Sequence, residues 1–230
     1  MRGVILLAVL IGLFAAGCGD ANSFPPDFEA GDFHGAKIDN TWYSLTPGTQ
    51  FVYRGVKEGK SARDVVTVTP GAKPILSVPT TVVHDQLFLD GELAEETNDW
   101  YAQDEDGNVW YFGEATRELT NGKVTSTEGS WQAGIGGAAP GLIMEADPKV
   151  GHAYAQEHFK GEAEDHAQVV SLTTAIGGYH GAQLTKEWTP LEPGVIDHKY
   201  YVPGVGLVRE ATAKGPQETL VLVEKRRAAR

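Results

Sequence analysis

From Trp42 onward, short apolar runs alternate with turn-forming residues. Runs rich in Val, Thr, Tyr, Trp and Phe, such as 49–53, 65–69, 78–89 and 169–174, are separated by Asp-Gly, Asn-Gly and Pro-Gly pairs. β-Branched and aromatic residues suit a pleated sheet, and these pairs form the tight turns of hairpins. No long stretch repeats apolar residues at the helical period. The pattern predicts an all-β antiparallel meander of roughly ten to twelve strands with few helices.

A sheet with this many strands must protect the unpaired backbone groups of its edge strands. We therefore expect a barrel or a strongly curved sheet. Residues 41–224 show no internal repeat and no linker, so we expect a single β-domain there. The longest interruption, 133–148, is predicted to be a flexible loop at the mouth of that domain. Residues 18–40 are polar and punctuated by Pro and Gly, which is typical of a flexible tether.

The segment 99–114 predicts the clearest hairpin. A turn of four residues would pair Tyr101 with Trp110, whereas a turn of two residues would pair Tyr101 with Phe112. Because side chains alternate along a strand, Trp110, Phe112 and Glu114 share one face in either register. Glu114 is therefore expected to continue an aromatic stripe.

Other charged residues fall in apolar stripes of predicted strands. Glu157 shares a face with the alanines and the phenylalanine of 153–159, and Asp165 shares one with neighbouring Ala and Val side chains. Lys186 lies between Leu184 and Trp188 on the same alternation. A carboxylate that is buried without a partner costs several kcal/mol. The pattern predicts a polar centre inside the β-domain. The alternatives are that these residues lie near strand ends and reach solvent, or that Lys186 pairs with one of the acids.

The N-terminus predicts export. An apolar run follows Arg2 and ends at Ala15-Ala16-Gly17, directly before Cys18, the only cysteine in the chain. The run is typical of a signal peptide covering residues 1–17. Together with the cysteine it resembles the lipobox of bacterial lipoproteins, which implies a diacylglyceryl group and an N-acyl chain, such as palmitate, on Cys18. A single acyl chain anchors only marginally. We expect a lipid-anchored, extracytoplasmic protein of the bacterial cell envelope.

Charge is unevenly distributed along the chain. The stretch from Cys18 to Glu224 carries 14 basic and 31 acidic residues, whereas residues 225–230 hold four basic residues. An acidic surface of this kind repels nucleic acid and anionic lipid, so we expect no nucleic-acid partner. It favours basic ligands and cations. The basic tail is expected to fray, with lipid headgroups as a second partner.

The motifs of cofactor and enzyme sites are weak. Asp104-Glu105-Asp106-Gly107-Asn108 resembles the start of a calcium loop, but the glycine falls too early for an EF-hand, so a turn is favoured and a calcium or other cation site is the alternative. The spacing of the histidines does not fit zinc. No Gly-x-Ser-x-Gly elbow is present. We therefore expect no cofactor, no metal and no catalytic residue.

Several blocks of sequence resemble an uncharacterised family of secreted bacterial lipoproteins. They are Asp-Trp-Tyr-Ala-Gln-Asp-Glu-Asp-Gly-Asn-Val-Trp-Tyr-Phe-Gly-Glu at 99–114, Gly-Ser-Trp-Gln-Ala-Gly at 129–134, Gly-Glu-Ala-Glu-Asp-His-Ala at 161–167, Trp-Thr-Pro-Leu-Glu-Pro-Gly at 188–194 and His-Lys-Tyr-Tyr-Val-Pro-Gly-Val-Gly-Leu-Val at 198–208. The resemblance implies secretion and a single domain. It implies no activity, cofactor or site residue.

These patterns favour a binding protein that takes a small amphiphilic or cationic ligand in a β-lined concavity. The alternatives are an assembly protein of the envelope that contacts other proteins and, third, a hydrolase that uses paired carboxylates. Three aromatic residues are expected to supply apolar contact and three acids to hold polar groups; the predicted ligand-binding residues are Trp110, Phe112, Trp131, Glu114, Glu157 and Asp165.

Overall fold

The computed structural model of the protein describes residues 28–35 and 37–227. It contains one 3₁₀ turn, Ala30–Asp32, and sixteen strands. The strands are β1 Ile38–Asp39, β2 Ser44–Leu45, β3 Thr49–Lys57, β4 Lys60–Ile75, β5 Val78–Leu89, β6 Glu92–Gln103, β7 Val109–Thr120, β8 Lys123–Ser126, β9 Trp131–Gln132, β10 Gly141–Met144, β11 Ala153–Ala155, β12 His166–Ile176, β13 Tyr179–Trp188, β14 Ile196–Val202, β15 Gly206–Lys214 and β16 Thr219–Arg227.

Fourteen of the strands form one antiparallel sheet. Strands β3 to β7 form one meander and strands β11 to β16 form a second. The pairing of β16 with β3 joins the two meanders, with Thr49 opposite Arg227 and Val56 opposite Thr219. The predicted all-β meander is confirmed, with more strands than the sequence indicated because several are only two to four residues long.

The sheet is strongly curled but not closed. Its two ends, β10 and β11, come together without forming a strand pair, and Ala139 and His158 form an isolated bridge beside them. A Cβ on Gly141 would lie 2.1 Å from the carbonyl oxygen of Gln156, so only glycine permits this approach. Of the two predicted shapes, the structure has the strongly curved sheet. Strand β10 also orders the predicted loop 133–148, and its Met144 is fully buried.

The N-terminal segment packs on the sheet from Phe28 onward. Phe33 and Ile38 are buried, and β1 and β2 pair with each other in front of the curled sheet. Asn40 fixes the segment: its amide nitrogen donates to the carbonyls of Gly107 and Glu145, and its side-chain oxygen accepts from the backbone N–H groups of residues 42 and 43. Residues 28–35 and 37–40 therefore belong to the folded body, and the predicted tether does not extend through them.

The C-terminal basic residues are also more ordered than predicted. Lys225, Arg226 and Arg227 belong to β16 and pair with the first strand of the main sheet. The Lys225 ammonium donates to the carbonyls of Gly204 and Val205. Backbone pairing with β3 explains why this stretch does not fray.

No helix among the described residues is both long enough and apolar enough to cross a membrane. The predicted signal peptide, the lipidation site Cys18 and the first part of the predicted tether lie outside the described residues, as do residues 228–230.

Candidate functional site

A bulge in β7 determines which side chains enter the curled sheet. Asp99 pairs with Glu114 and Tyr101 pairs with Tyr111, so β7 has one more residue than β6 between these two pairs. Gly113 takes up the extra residue with φ 115°. The bulge shifts the alternation, which brings Tyr111 and Glu114 to the same face.

Trp110 and Phe112 face the other way from Glu114. Phe112 is fully buried, and the rings of Phe28 and Phe33 pack edge-on against it at 5.7 and 5.6 Å. Trp110 contacts the same two phenylalanines. The prediction that Trp110, Phe112 and Glu114 share a face was wrong, because both registers considered assumed a regular strand. These two aromatic residues hold the N-terminal segment and do not line the site.

Tyr111 connects two carboxyl groups. Its hydroxyl lies 2.7 Å from Oδ1 of Asp99 and 2.6 Å from Oε2 of Glu114. A phenol has one hydrogen to donate, so the second contact needs a protonated carboxyl as donor. Burial, followed by the charges of Asp85 and Glu114, raises the pKa of Asp99 well above its usual range. Burial also raises the pKa of Glu114, so one of the two carboxyls is protonated and donates to the Tyr111 hydroxyl, which donates to the other.

Trp131 and Glu157 extend this group. The Trp131 indole N–H lies 3.4 Å from Oε1 of Glu157, and its ring stands perpendicular to that of Tyr111 at 5.5 Å. Burial and the neighbouring charges of Asp165 and Glu114 raise the pKa of Glu157 to about 8. The backbone carbonyl of Asp165 accepts the backbone N–H of Glu157. Asp165 itself is exposed. The structure thus brings Glu114, Trp131 and Glu157 together and puts Asp165 at the rim.

The internal cation is Lys199, not Lys186. On β13, Thr185 and Glu187 face inward, whereas Lys186 lies on the other face with its ammonium 4.5 Å from the centre of the Trp188 ring. Lys199 on the adjacent β14 lies 2.9 Å from Glu187 and 3.8 Å from Glu210. The alternation on β13 is the reverse of the predicted one, because the inner face of this strand is polar.

A cavity of about 200 Å³ opens within the curl. Strands β3 to β6 supply aromatic, aliphatic and acidic walls, and the N-terminal segment covers one side with Tyr43, Ser44 and Leu45. Four acids and three tyrosines line it; they are Asp64, Asp85, Asp99, Glu210, Tyr43, Tyr53 and Tyr101. Its one basic residue is Lys199, which is already paired with two carboxylates. The cavity therefore has an excess of acid.

Asp64 and Asp85 lie against each other in this wall. Burial, then the charge of Asp85 and a hydrogen bond with it, raise the pKa of Asp64 to about 10. One oxygen of Asp64, Oδ1, is buried without a hydrogen-bond donor among the described residues. The raised pKa keeps Asp64 protonated at neutral pH, and its free Oδ1 is available to a donor group in the cavity.

A second recess, of about 140 Å³, lies beyond Lys199. It is lined by Asp165, Glu187 and three further acids, and it shares Lys199 and Glu210 with the first cavity. The interior is therefore one acidic tract from Asp64 to Asp165 with a single lysine near its middle.

The Asp104–Asn108 segment is a turn. The Asp104 carboxylate accepts the backbone and side-chain N–H groups of Asn108 and the indole N–H of Trp110. Both carboxylate oxygens are thus used by donors within the hairpin. Among the described residues, no three His, Asp or Glu side chains are grouped in a way that would hold a metal ion.

Several residues of the site were not predicted. Asp85 interrupts the stripe of Val83, Leu87 and Leu89, so the rule that selected Glu157 would have found it. Asp64 is two residues from Val66 on its strand, so the same rule would place it on an apolar face. Lys199 and Glu210 carry no such signal, because their neighbours on the inner face are polar or aromatic.

No protein-family model matches the chain, and no curated protein matches its sequence. Among solved structures, one similar chain is described as an exported protein of Bacteroides fragilis with a YmcC-like fold; it is 14% identical, with 82% of this chain and 100% of that chain covered and a TM-score of 0.47. Another is described as a lipoprotein of Parabacteroides distasonis, at 13% identity, the same coverage and a TM-score of 0.43. At these identities and TM-scores, the two proteins carry no argument about the function of this chain.

Proposed function

We propose that this protein is a lipid-anchored binding protein of the bacterial envelope whose interior cavity takes a small organic cation. The observation that carries the proposal is the Asp64–Asp85 pair, with one buried oxygen of Asp64 facing no donor among the described residues. An ammonium group supplies several N–H donors and a positive charge, which suit a buried acceptor oxygen between two neighbouring carboxyl groups.

The rest of the wall supports an amine with a short apolar part. Phe51, Val66 and Val83 line the cavity beside the tyrosines, so its surface alternates between apolar faces and hydroxyl groups. Burial raises the pKa of Tyr43 to about 12, which keeps its hydroxyl neutral. Apolar walls with a few convergent polar groups are typical of small-ligand sites.

A cation bound at Asp64 displaces the proton of this carboxyl, because it stabilises the ionised form. We expect the affinity for 1,4-diaminobutane to rise between pH 6 and pH 9, with proton release on binding. Isothermal titration calorimetry in phosphate and in Tris buffer measures that release, because the two buffers differ in ionisation enthalpy. The neutral analogue 1,4-butanediol should bind at least about tenfold more weakly.

Matched variants test the site. Asp64→Asn with Asp85→Asn keeps the side-chain shapes and removes the acids, so diamine binding should be lost while the fold persists. Glu128→Gln changes an exposed acid and should leave binding unchanged. Equal binding of diamine by the double variant, or equal binding of the diol by the wild type, would contradict the proposal.

The anchoring part of the proposal is supported by the N-terminal sequence alone. Labelling of cells with radioactive palmitate should mark the wild-type protein, and Cys18→Ser should abolish the label and release the protein from the membrane fraction. A labelled Cys18→Ser variant would show that the lipid is elsewhere.

A further inference from the structure

A groove of about 290 Å³ lies between the tip of the β12–β13 hairpin and strands β15 and β16. Adjacent residues of β15 face opposite sides of the sheet, so Glu210 lines the interior cavity and Arg209 lines the groove. The groove is therefore separate from the proposed cation site. None of its lining residues is acidic, although the chain has 31 acidic residues.

The walls of the groove are apolar and held in place by packing. Strands β12 and β13 pair with three register shifts between Val169 and Ile176, which bend the hairpin. Ile176 then packs on a small core formed by Ala182, Val202 and Val208. The groove is thus a preformed feature of the fold, and its rim leaves Tyr179 and Val221 exposed at 41% and 40%.

Arg209 is the one charged residue of the groove. It makes no ion pair with any described residue, and its Nε is buried without an acceptor. Its guanidinium lies 5.9 Å from the centre of the Tyr200 ring. A guanidinium has five donors and stays charged, so a partly buried one without an anion is costly.

Two more arginines continue from Arg209 along the same face. Val221 is opposite Arg209 and also opposite Arg54, and Arg54 is opposite Arg63 on the next strand. Directly opposed like charges repel, which destabilises the sheet. Within the described part of the chain, neither Arg54 nor Arg63 forms an ion pair; Arg63 lies over the Phe88 ring at 5.3 Å.

Two carboxylates near this row, those of Asp90 and Glu224, have other partners. Asp90 accepts the backbone N–H of Ser61 at 3.0 Å, and Glu224 pairs with Arg226 at 3.5 Å. An acidic chain that leaves three neighbouring arginines without counter-ions on one face presents a local site for an external anion.

We propose that the groove binds a single-chain anionic amphiphile. The apolar chain lies between the hairpin tip and β16, where it covers Tyr179 and Val221, and the carboxylate or phosphate head lies on Arg209 with Arg54 beside it. A planar fork recognises both oxyanions through two parallel hydrogen bonds. Apolar walls with one placed charge fit such a ligand better than a folded protein surface.

The test uses the full chain and four probes with the same twelve-carbon tail, each below its critical micelle concentration. They are laurate, dodecyl phosphate, dodecanol and dodecyltrimethylammonium. We expect the anionic probes to bind at least about tenfold more tightly than the neutral and cationic ones by calorimetry. Binding of laurate alone identifies a fatty acid as the ligand class, and binding of dodecyl phosphate alone identifies a phosphate lipid. Equal binding of dodecanol and laurate overturns the proposal.

Arg209→Met keeps an unbranched apolar stem and removes the guanidinium with its charge. The proposal predicts that this variant loses the preference for anionic probes while its melting temperature stays the same or rises, because an unpaired charge has been removed. Arg117→Met is the control, since Arg117 pairs with Glu96 at 2.5 Å on another part of the sheet. An Arg209→Met variant that binds laurate as tightly as the wild type does would contradict the proposal.

Discussion

Tyr111 and Glu114 are three residues apart on one strand, yet the Tyr111 hydroxyl lies 2.6 Å from Oε2 of Glu114. Residues three apart in a regular strand face opposite sides of the sheet. The bulge at Gly113 removes this separation, and it also puts Asp99 on the other side of the same hydroxyl. One glycine therefore assembles the tyrosine-bridged carboxyl pair.

Gly113→Ala should disrupt that assembly. A Cβ at this position would lie 2.3 Å from the carbonyl oxygen of Trp131, and the backbone is at φ +115°. We expect a loss of at least about 2 kcal/mol in the free energy of unfolding, from strain and from displacement of β9. Urea denaturation followed by tryptophan fluorescence measures it.

Gly122→Ala is the matched control for this prediction. Gly122 also has a positive φ, +71°, but a Cβ added there would meet no atom within 4 Å. It should lose only about 1 kcal/mol, the ordinary cost of a left-handed alanine. Equal losses for the two glycines would mean that the close approach of Trp131 has no energetic role.

Lys199→Met should destabilise the fold by about 3 kcal/mol. The substitution leaves Glu187, which is buried, without the ammonium group at 2.9 Å. Adding Glu187→Gln to the variant should restore part of the stability, because the unpaired charge is then gone. Thermal or urea unfolding of both variants measures whether the second substitution raises the free energy of unfolding.

Lys186→Met tests the same point from the neighbouring strand. Lys186 contacts the Trp188 ring and forms no ion pair with a described residue, so we expect a change of less than about 1 kcal/mol. A larger loss for Lys186→Met than for Lys199→Met would reverse the assignment of the internal cation.

The stability of the protein should fall as the pH rises above about 4. The pKa of Asp64 rises from 3.8 in the unfolded chain to about 10, and that of Glu157 from 4.5 to about 8. Between these limits the folded state retains protons that the unfolded chain has lost. Each group then lowers the free energy of unfolding by up to about 1.4 kcal/mol per pH unit, until its folded pKa is reached.

Asp64→Asn isolates one of these two contributions. At pH 8 the variant should be more stable than the wild type, since the amide does not ionise, whereas at pH 4 the two should be nearly equal. Urea denaturation at pH 4, 6 and 8 gives the comparison. A wild-type protein whose stability increases from pH 5 to pH 8, with no difference from Asp64→Asn, would contradict the raised pKa.

Asn40→Ala should loosen the segment that covers the cavity. The asparagine side chain makes four hydrogen bonds, two to carbonyls of the sheet and two within its own turn. We expect a loss of about 2 kcal/mol and faster hydrogen exchange of residues 38–45 than of the sheet. Thr41→Ala, at the exposed neighbouring position, should leave the exchange pattern unchanged.

The alternation of the sequence was sufficient to predict the fold class, because strand periodicity and turn chemistry agree along most of the chain. Turn pairs such as Asp90-Gly91 and Asn121-Gly122 mark hairpin tips with positive φ at both residues. The curl of the sheet follows from the number of strands, because a large sheet must protect the hydrogen-bonding groups at its edge strands.

Side-chain directions were harder to predict where the strand is irregular. The bulge at Gly113 put Glu114 on the opposite face from Trp110 and Phe112, since a single extra residue reverses every later side chain. On β13 the inner face is the polar one, so the hydropathy pattern selected Lys186 in place of Glu187. The sequence predicts which strands exist more reliably than which face of each strand is buried.

The N-terminal segment was missed for another reason. Phe28, Phe33 and Ile38 are isolated apolar residues among polar ones, a pattern that is typical of a tether. Their partners, Trp110 and Phe112, lie far along the chain, and only tertiary contact shows that they match.

The pairing of β3 with β16 has a consequence for how the molecule is made. Thr49 meets Arg227, so the two halves of the sheet remain unconnected until β16 has left the ribosome. A chain of such high contact order folds slowly, and its sheet is completed only after that last strand emerges. Removal of β16 would leave two separate meanders, each with a bare hydrogen-bonding edge where the other belongs.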